Sequence, residues 1–363
     1  FYGCDGLESI TLPKSDATIG EAAFNYCTSL KTVEIPESIY FEGNIFGWCT
    51  NLAAINVDEN NSNYCSVDGV VFDKDMTTLL IYPSGRQTEE YAVPNGVTTI
   101  RTEAFFVCEH IKSVTIPETV QEIETQAFSG CENLVSIIVD GNNETYSSVD
   151  GILFTKDKTT LVLYPLGKDA VTYDIPDGVT TLGGYAFCDN RKLQSISIPV
   201  SVTTICDSAF EYNYSGRVLA DIYYDGTLEQ WGMVEGNDIY GVIVHCKDGN
   251  VNPGGICGAN VTWSLVDGTL TISGYGDMFE AGGVDEWGWA KFADRIENIV
   301  IEDGVESISD FAFSNLANLK TASISASVER IGSIPFEGCE SLETINVDED
   351  NMDFCSVDGV LFN

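Results

Sequence analysis

The sequence predicts an α/β repeat solenoid: a β-rich stack of short coils, with β-hairpin inserts and cap elements. Three observations predict it. One phrase is spelled three times, as YCSVDGVVF at 64–72, YSSVDGILF at 146–154 and FCSVDGVLF at 354–362. The shift that carries Tyr64 onto Tyr146 also carries, without a gap, Leu52 onto Leu134, Pro83 onto Pro165, Phe105 onto Phe187 and Phe128 onto Phe210. Inside that long block lies a shorter unit: LKTVEIPESIYFEGNIFGWCTN from Leu30, IKSVTIPETVQEIETQAFSGCEN from Ile111 and LQSISIPVSVTTICDSAFEYNY from Leu193. A coil this short cannot bury its own apolar edge, and stacked coils can.

Each part of the unit has a physical role. Val33 and Ile35, like Val114 and Ile116, alternate with polar residues as a half-buried strand does. Proline follows at Pro13, Pro36, Pro94, Pro117, Pro176 and Pro199; it cannot donate to a sheet ladder and so ends the strand. Val120, Ile123, Ala127, Phe128 and Cys131 then predict a short helical or irregular return with one buried side. A unit of roughly 20–29 residues with one strand is the leucine-rich-repeat type, a right-handed curved coil stack. The stretch VDENNSNYCSVDGVVFDKDMTTLLIYP (57–83) reads as part of a coil lengthened by a β-hairpin insert. Asp68-Gly69 is its turn, and Val67, Val70 and Phe72 are packing residues.

These motifs carry a family resemblance. The unit I-P-x-x-V-x-x-I-x-x-x-A-F-x-x-C resembles the BspA-like leucine-rich repeats of bacterial surface proteins, over roughly 1–215 and 296–363. The resemblance implies a solenoid from a secreted or surface-anchored parent and adhesion to host or neighbouring-cell protein or glycan. The chain opens inside a motif that recurs later, and it is expected to be a piece of something longer.

Five segments follow. Residues 1–218 form a first repeat array, and 219–247, with DIYY, Trp231 and GVIVHC, its C-terminal cap. Residues 248–255 have the composition of a flexible linker. In 256–295, Val261, Trp263 and Leu265 alternate, Asp267-Gly268 turns, and Leu270 and Ile272 alternate again, which predicts a β-hairpin acting as an N-terminal cap. Residues 296–363 form a second array. Two arrays on such a linker are expected to reorient.

Composition narrows the function. Hydrophobic residues make up 44 %, and 56 acidic residues face 17 basic ones, a net charge of −39. That charge repels nucleic acid and anionic lipid, and no apolar run reaches the ~20 residues that span a bilayer. Two histidines in unrelated places, His110 and His245, make no triad or metal cluster. Cys4, Cys27, Cys49, Cys108, Cys131 and Cys339 each fall at the third position after a repeat phenylalanine, where other coils carry Asn190, Asn213 or Leu316. They read as free, buried thiols in a ladder of small side chains. Cys246 and Cys257 flank the linker, where a disulfide and two free thiols are both open. VDENNSN and VDGNNET are acidic, but an EF-hand loop lacks its glycine and glutamate there, so they read as solvated turns. No cofactor or metal is expected.

The outward strand positions are the candidate ligand face: Thr32 and Glu34, Ser113 and Thr115, Ser136 and Ile138, Ser195 and Ser197. Ser9, Thr11, Ala54, Asn56, Thr321, Ser323, Thr344 and Asn346 continue the pattern. The face is small, polar and flat, whereas recognition surfaces usually present aromatic or arginine anchors. The expectation is a non-catalytic, monomeric, extracellular or cell-surface repeat protein that binds a protein or glycan of a host or neighbouring cell. The alternative is a structural spacer displaying other domains of a larger surface protein or enzyme.

Overall fold

The predicted strands stack in parallel, one per coil. The computed structural model describes residues 1–211, 218–237, 239, 241–283 and 287–363; Asn213 and Tyr214, part of the repeat reading above, lie outside them. Two compact units result, Phe1–Ala170 with Pro176–Asn190 and Ser201–Glu211, and Val171–Ile175 with Arg191–Val200 and Tyr212–Asn363.

In the first unit, Ser9–Thr11, Thr32–Ile35 and Ala54–Val57 pair in parallel, with Thr32 between Ser9 and Ala54. Glu90–Ala92, Ser113–Ile116 and Ser136–Val139 repeat the arrangement. A second parallel ladder follows the prolines, for example Thr78–Ile81, Thr99–Ile100 and Glu122–Ile123. Val33, Ile35, Ile55, Val114, Ile116 and Ile137 point inward and are at most 1 % exposed. The repeat phenylalanines stack along the core, with ring centroids 5.5 Å apart for Phe24 and Phe46 and 4.9 Å apart for Phe105 and Phe128.

The returns are not helical, and here the α/β expectation is corrected. Among the described residues, helix is confined to Leu228–Trp231 and a 3-10 turn at Ala290–Arg295; the chain is a β-solenoid. Among the described residues the returns are pairs of turns with left-handed residues, such as Glu103 (φ 57°) and Val107 (φ 54°), or Gln126 (φ 62°) and Gly130 (φ 72°). A helix cannot propagate through such residues. Nor do the amides need one: the N–H of Phe105 donates to the carbonyl of Ala127, and that of Val107 to Ser129, in the next coil.

The recurring phrase builds a hairpin that breaks the strand stack. Tyr64–Val67 and Val70–Asp73 pair antiparallel around Asp68 (φ 50°) and Gly69 (φ 78°). The same turn recurs at Asp150 (φ 50°) and Gly151 (φ 78°), and at Asp358 (φ 51°) and Gly359 (φ 80°). The glycine carbonyl accepts an amide from the strand face: Ile55 donates to Gly69, Ile137 to Gly151 and Ile345 to Gly359, each at 2.9 Å. The serine of the phrase accepts as well, Ser66 from the N–H of Val57, Ser148 from Val139 and Ser356 from Val347. The aspartate, glycine and serine of the phrase recur because each holds the turn or one of these contacts.

In the second unit Thr172–Asp174, Ser195–Ile198, Asp221–Tyr224 and Ile243–Cys246 are parallel. Of the residues read as a flexible linker, Gly249–Val251 pair back on Ile243–Cys246, and the strand Gly254–Ile256 pairs with Val261–Val266. Val261–Val266 and Thr269–Gly274 form a hairpin, and Thr269–Gly274 continues in parallel into Asn298–Ile301, Thr321–Ile324 and Thr344–Val347. Trp263, Trp287, Trp289 and Phe292 are buried beside it. Cys246 and Cys257 are free thiols.

Candidate functional site

The eight strand-face residues lie where the alternation puts them, on the face opposite the core. Glu34 sits between Thr11 and Asn56, Ser113 between Glu90 and Ser136, and Thr115 between Ala92 and Ile138. In the second unit Ser195 lies between Thr172 and Asp221, and Ser197 between Asp174 and Tyr223. Thr32, Glu34 and Ile138 are exposed, while Ser113, Thr115, Ser136, Ser195 and Ser197 are only half-exposed among their neighbours. Several polar groups on this face serve one another: Asn56 donates to Glu34 at 2.8 Å, and the Ser197 hydroxyl donates to Asp174. The hairpins separate the strand triplets, so the eight residues are divided among three sheets.

The second unit carries a polar cluster that sequence spacing did not show. Asp221, only 8 % exposed, accepts two hydrogen bonds from the Arg295 guanidinium at 3.0 and 2.6 Å. His245 Nε2 lies 2.7 Å from the same carboxylate, and its ring stacks on Tyr223 at 4.6 Å. Burial alone raises the Asp221 pKa, but the hydrogen bonds from Arg295 and His245 outweigh it and hold the carboxyl below its ordinary value. Lys291 adds a hydrogen bond to the carbonyl of Leu219. These bonds join the strand at 221–224 to the 3-10 turn at 290–295.

The strand face of the second unit carries one exposed aromatic, Tyr223, beside Ser197, whereas the first unit groups several aromatic residues on its return turns. Tyr2 and Tyr26 approach at 5.3 Å, Tyr26 and Trp48 stack at 5.6 Å with planes 8° apart, and Trp48 meets Phe106 edge-on at 5.7 Å. Tyr2 is 65 % and Tyr26 38 % exposed. The signal was present in the sequence, since Tyr26 and Trp48 both fall at the second position after a repeat phenylalanine.

The acidic turns hold protein atoms. The Asp58 carboxylate accepts from the backbone and side-chain N–H of Asn60, which lowers its pKa, and Asp140 accepts from the amide of Asn142. Asn61 and Asn143, read as part of solvated turns, are in fact fully buried. Among the described residues no three His, Cys, Asp or Glu side chains converge as a metal site would require. The cysteine ladder has its own bonding: the Cys49 thiol donates to the carbonyl of Phe24 and the Cys131 thiol to that of Phe105, each in an adjacent coil.

The sequence profile of the BspA-type leucine-rich repeat region matches at 1–78, 82–157, 168–229 and 291–356, well over half of the chain. The chain belongs to this family. No curated protein gives a significant match. Among solved structures, BspA-type repeats of this chain are similar to a leucine-rich repeat protein from Eubacterium ventriosum, with 17 % identity, 90 % of this chain and 81 % of that one covered, and a TM-score of 0.41. They are also similar to a leucine-rich cell surface protein from Faecalibacterium prausnitzii, with 19 % identity, coverage of 94 % and 88 %, and a TM-score of 0.36. A leucine-rich repeat protein from Bacteroides ovatus shares 21 % identity, coverage of 92 % and 82 %, and a TM-score of 0.32. The BspA-type matches include both the strand face and the aromatic ladder, and leave out 230–290, which hold the hairpin of Val261–Val266 and Thr269–Gly274.

Proposed function

We propose that this BspA-type chain is a non-catalytic, extracellular or cell-surface binding module that recognises a protein or glycan of another cell. The observation that carries the reading is the ladder of Tyr2, Tyr26, Trp48 and Phe106, exposed at Tyr2 and Tyr26 and half-buried at Trp48 and Phe106. The stacked pair Tyr26 and Trp48, flanked by the inclined rings of Tyr2 and Phe106, offers a rigid, amphipathic surface at small entropic cost, suited to sugar faces and apolar side chains. The small side chains of Thr32, Glu34, Ser113, Thr115, Ser136, Ile138, Ser195 and Ser197 supply a second, polar face. In this reading 219–247 closes the first array and the hairpin of 256–295 opens the second. The mutual hydrogen bonding on the strand face favours the alternative, a spacer that presents other domains.

Binding of the full chain to arrayed glycans and extracellular-matrix proteins tests this. A Tyr26→Ser/Trp48→Ser variant is compared with a Ser113→Arg/Ser136→Arg/Ser195→Arg variant, both checked for folding by circular dichroism. Loss of at least tenfold in affinity in the aromatic variant alone is the expected result. Loss in the arginine variant alone moves the site to the strand face. No binding to any surface leaves the spacer reading in place.

A further inference from the structure

The two long blocks related by the Tyr64-to-Tyr146 shift have the same plan, so the first serves as an internal control for the second. At one place they differ in what fills the space between the hairpin insert and the adjoining returns. Taking the copies as 41–106 and, 82 residues later, 123–188, a cavity of about 140 Å³ opens there in the second copy, lined by Ile123, Ala127, Val162, Leu163, Gly183 and Cys188. The matching positions of the first block carry Phe41, Ile45, Leu80, Ile81, Arg101 and Phe106. Five of these six are larger than their counterparts; Leu163 is comparable in size with Ile81. Exposure agrees: Phe41, Leu80 and Ile81 are buried at 2, 8 and 4 %, whereas Ile123, Val162 and Leu163 are half-exposed. Two lining positions grow instead, Ser84 to Leu166 and Glu103 to Tyr185, and they extend the cavity's apolar wall.

An interior is normally packed at the density of an organic crystal, and an apolar void costs stability. A cavity of ~150 Å³ with an apolar wall takes a benzene-sized ring, and the half-exposed Ile123, Val162 and Leu163 leave this one open to an entering ligand. The first block shows what chemistry belongs beside it: the counterpart of Cys188 is Phe106, whose ring packs against Trp48, and the counterpart of Trp48 is Gly130. The second copy has therefore lost three aromatic rings at one locus, those of Phe41, Trp48 and Phe106, while gaining one on the wall, Tyr185, and a cavity. We propose that this cavity is a binding pocket for a free, uncharged aromatic molecule of benzene to benzyl-alcohol size. The polar side chains Thr125, Gln126, Ser129 and Thr160 complete the lining and offer partners to a single hydroxyl on the ring. Anions are disfavoured: Glu124 also lines the cavity, and one of its oxygens already accepts from the amide and hydroxyl of Thr102 at 2.9 and 2.8 Å.

The test uses the full chain and ligand-observed NMR titration with benzyl alcohol, benzoate and a blocked Gly-Phe-Gly peptide. Cys188→Phe restores the residue of the first block, and Ala127→Ile does the same from the opposite wall. Saturable binding of benzyl alcohol, at least tenfold weaker in either folded variant and at least tenfold weaker for benzoate, is the expected result. A readout independent of the variants is modification of Cys188 by a small methanethiosulfonate, followed at that residue by peptide mass spectrometry; burial pushes this thiol up to about 12, so the reaction is slow, and the bound ring slows it severalfold further. No saturable binding to the wild-type chain, equal binding in folded Ala127→Ile, or binding of the peptide without benzyl alcohol overturns the proposal.

Discussion

Asn143 is replaced by alanine. Its side chain is fully buried and makes four hydrogen bonds. The amide donates to the carbonyls of Pro117 at 2.8 Å and Val120 at 2.9 Å, in the preceding coil. Its oxygen accepts from the backbone N–H of Thr145 at 2.9 Å and Tyr146 at 2.7 Å, at the entrance to the hairpin. A net hydrogen bond in a folded protein is worth ~1 kcal/mol, and a buried group left unpaired costs about as much or more. Four such groups give a loss of about 4 kcal/mol, a large share of the roughly 5–15 kcal/mol typical of a domain. The loss is local, because stacked coils unfold by region. Urea unfolding combined with hydrogen exchange at the amides of Thr145 and Tyr146 measures it, and Asn142→Ala, on the exposed face of the same turn, is the control. A loss below about 1 kcal/mol, the value of a single bond, or an equal loss in the control, refutes the reasoning. Asn61 makes the same four bonds in the first block, so Asn61→Ala must behave alike.

Other predictions follow from single contacts. Gly151→Ala places a Cβ 2.9 Å from the Cα of Ser136 at a φ of 78°, and should cost roughly 2 kcal/mol in urea unfolding while Gly141→Ala, which meets nothing, costs little. Arg295→Ala removes both hydrogen bonds to Asp221; because the guanidinium is partly exposed the loss should be about 1 kcal/mol, read as a lower unfolding midpoint. The pH dependence has a fixed sign. Asp221 has its pKa depressed in the fold, so its stabilisation is present above the ordinary carboxylate value of ~4 and is lost as pH falls through the folded value. Asp221→Asn should therefore be destabilising at pH 7 and flatten the acid limb of the stability curve. Burial pushes the thiols of Cys49 and Cys257 up to about 12, so at pH 8 each should react roughly a thousandfold more slowly than an ordinary thiol of pKa ~8.5, counted by mass spectrometry after alkylation.

Val33, Ile35 and Pro36 state their own roles, since alternation and a missing donor are local properties of the chain. The returns at 103–108 and 126–131 did not, because their apolar spacing of 3 and 4 suits a helix as well as a pair of turns. What decides is the neighbouring coil, whose carbonyls accept the amides of Phe105 and Val107. Asn61 was misjudged for the same reason: an asparagine in an acidic, polar stretch reads as solvated until the preceding coil supplies the carbonyls of Pro36 and Ile39.

The candidate surfaces divide in the same way. The outward positions Thr32, Ser113 and Ser195 follow from a period of two. The aromatic ladder needed the stacking of coils to bring Tyr26 to Trp48, and the polar cluster needed Asp221, His245 and Arg295 to meet across separations of 24 and 74 residues. The sequence by itself determined the repeat, its strand faces, its prolines and the hairpin turn, because each depends on the identity and spacing of residues along the chain. Only the tertiary structure decided that the returns are turns, that Asn143 is buried, and where aromatic rings, charges and the cavity at Cys188 lie. Those depend on which side chain the next coil places alongside, and in a stack of coils that neighbour lies a full repeat away along the chain.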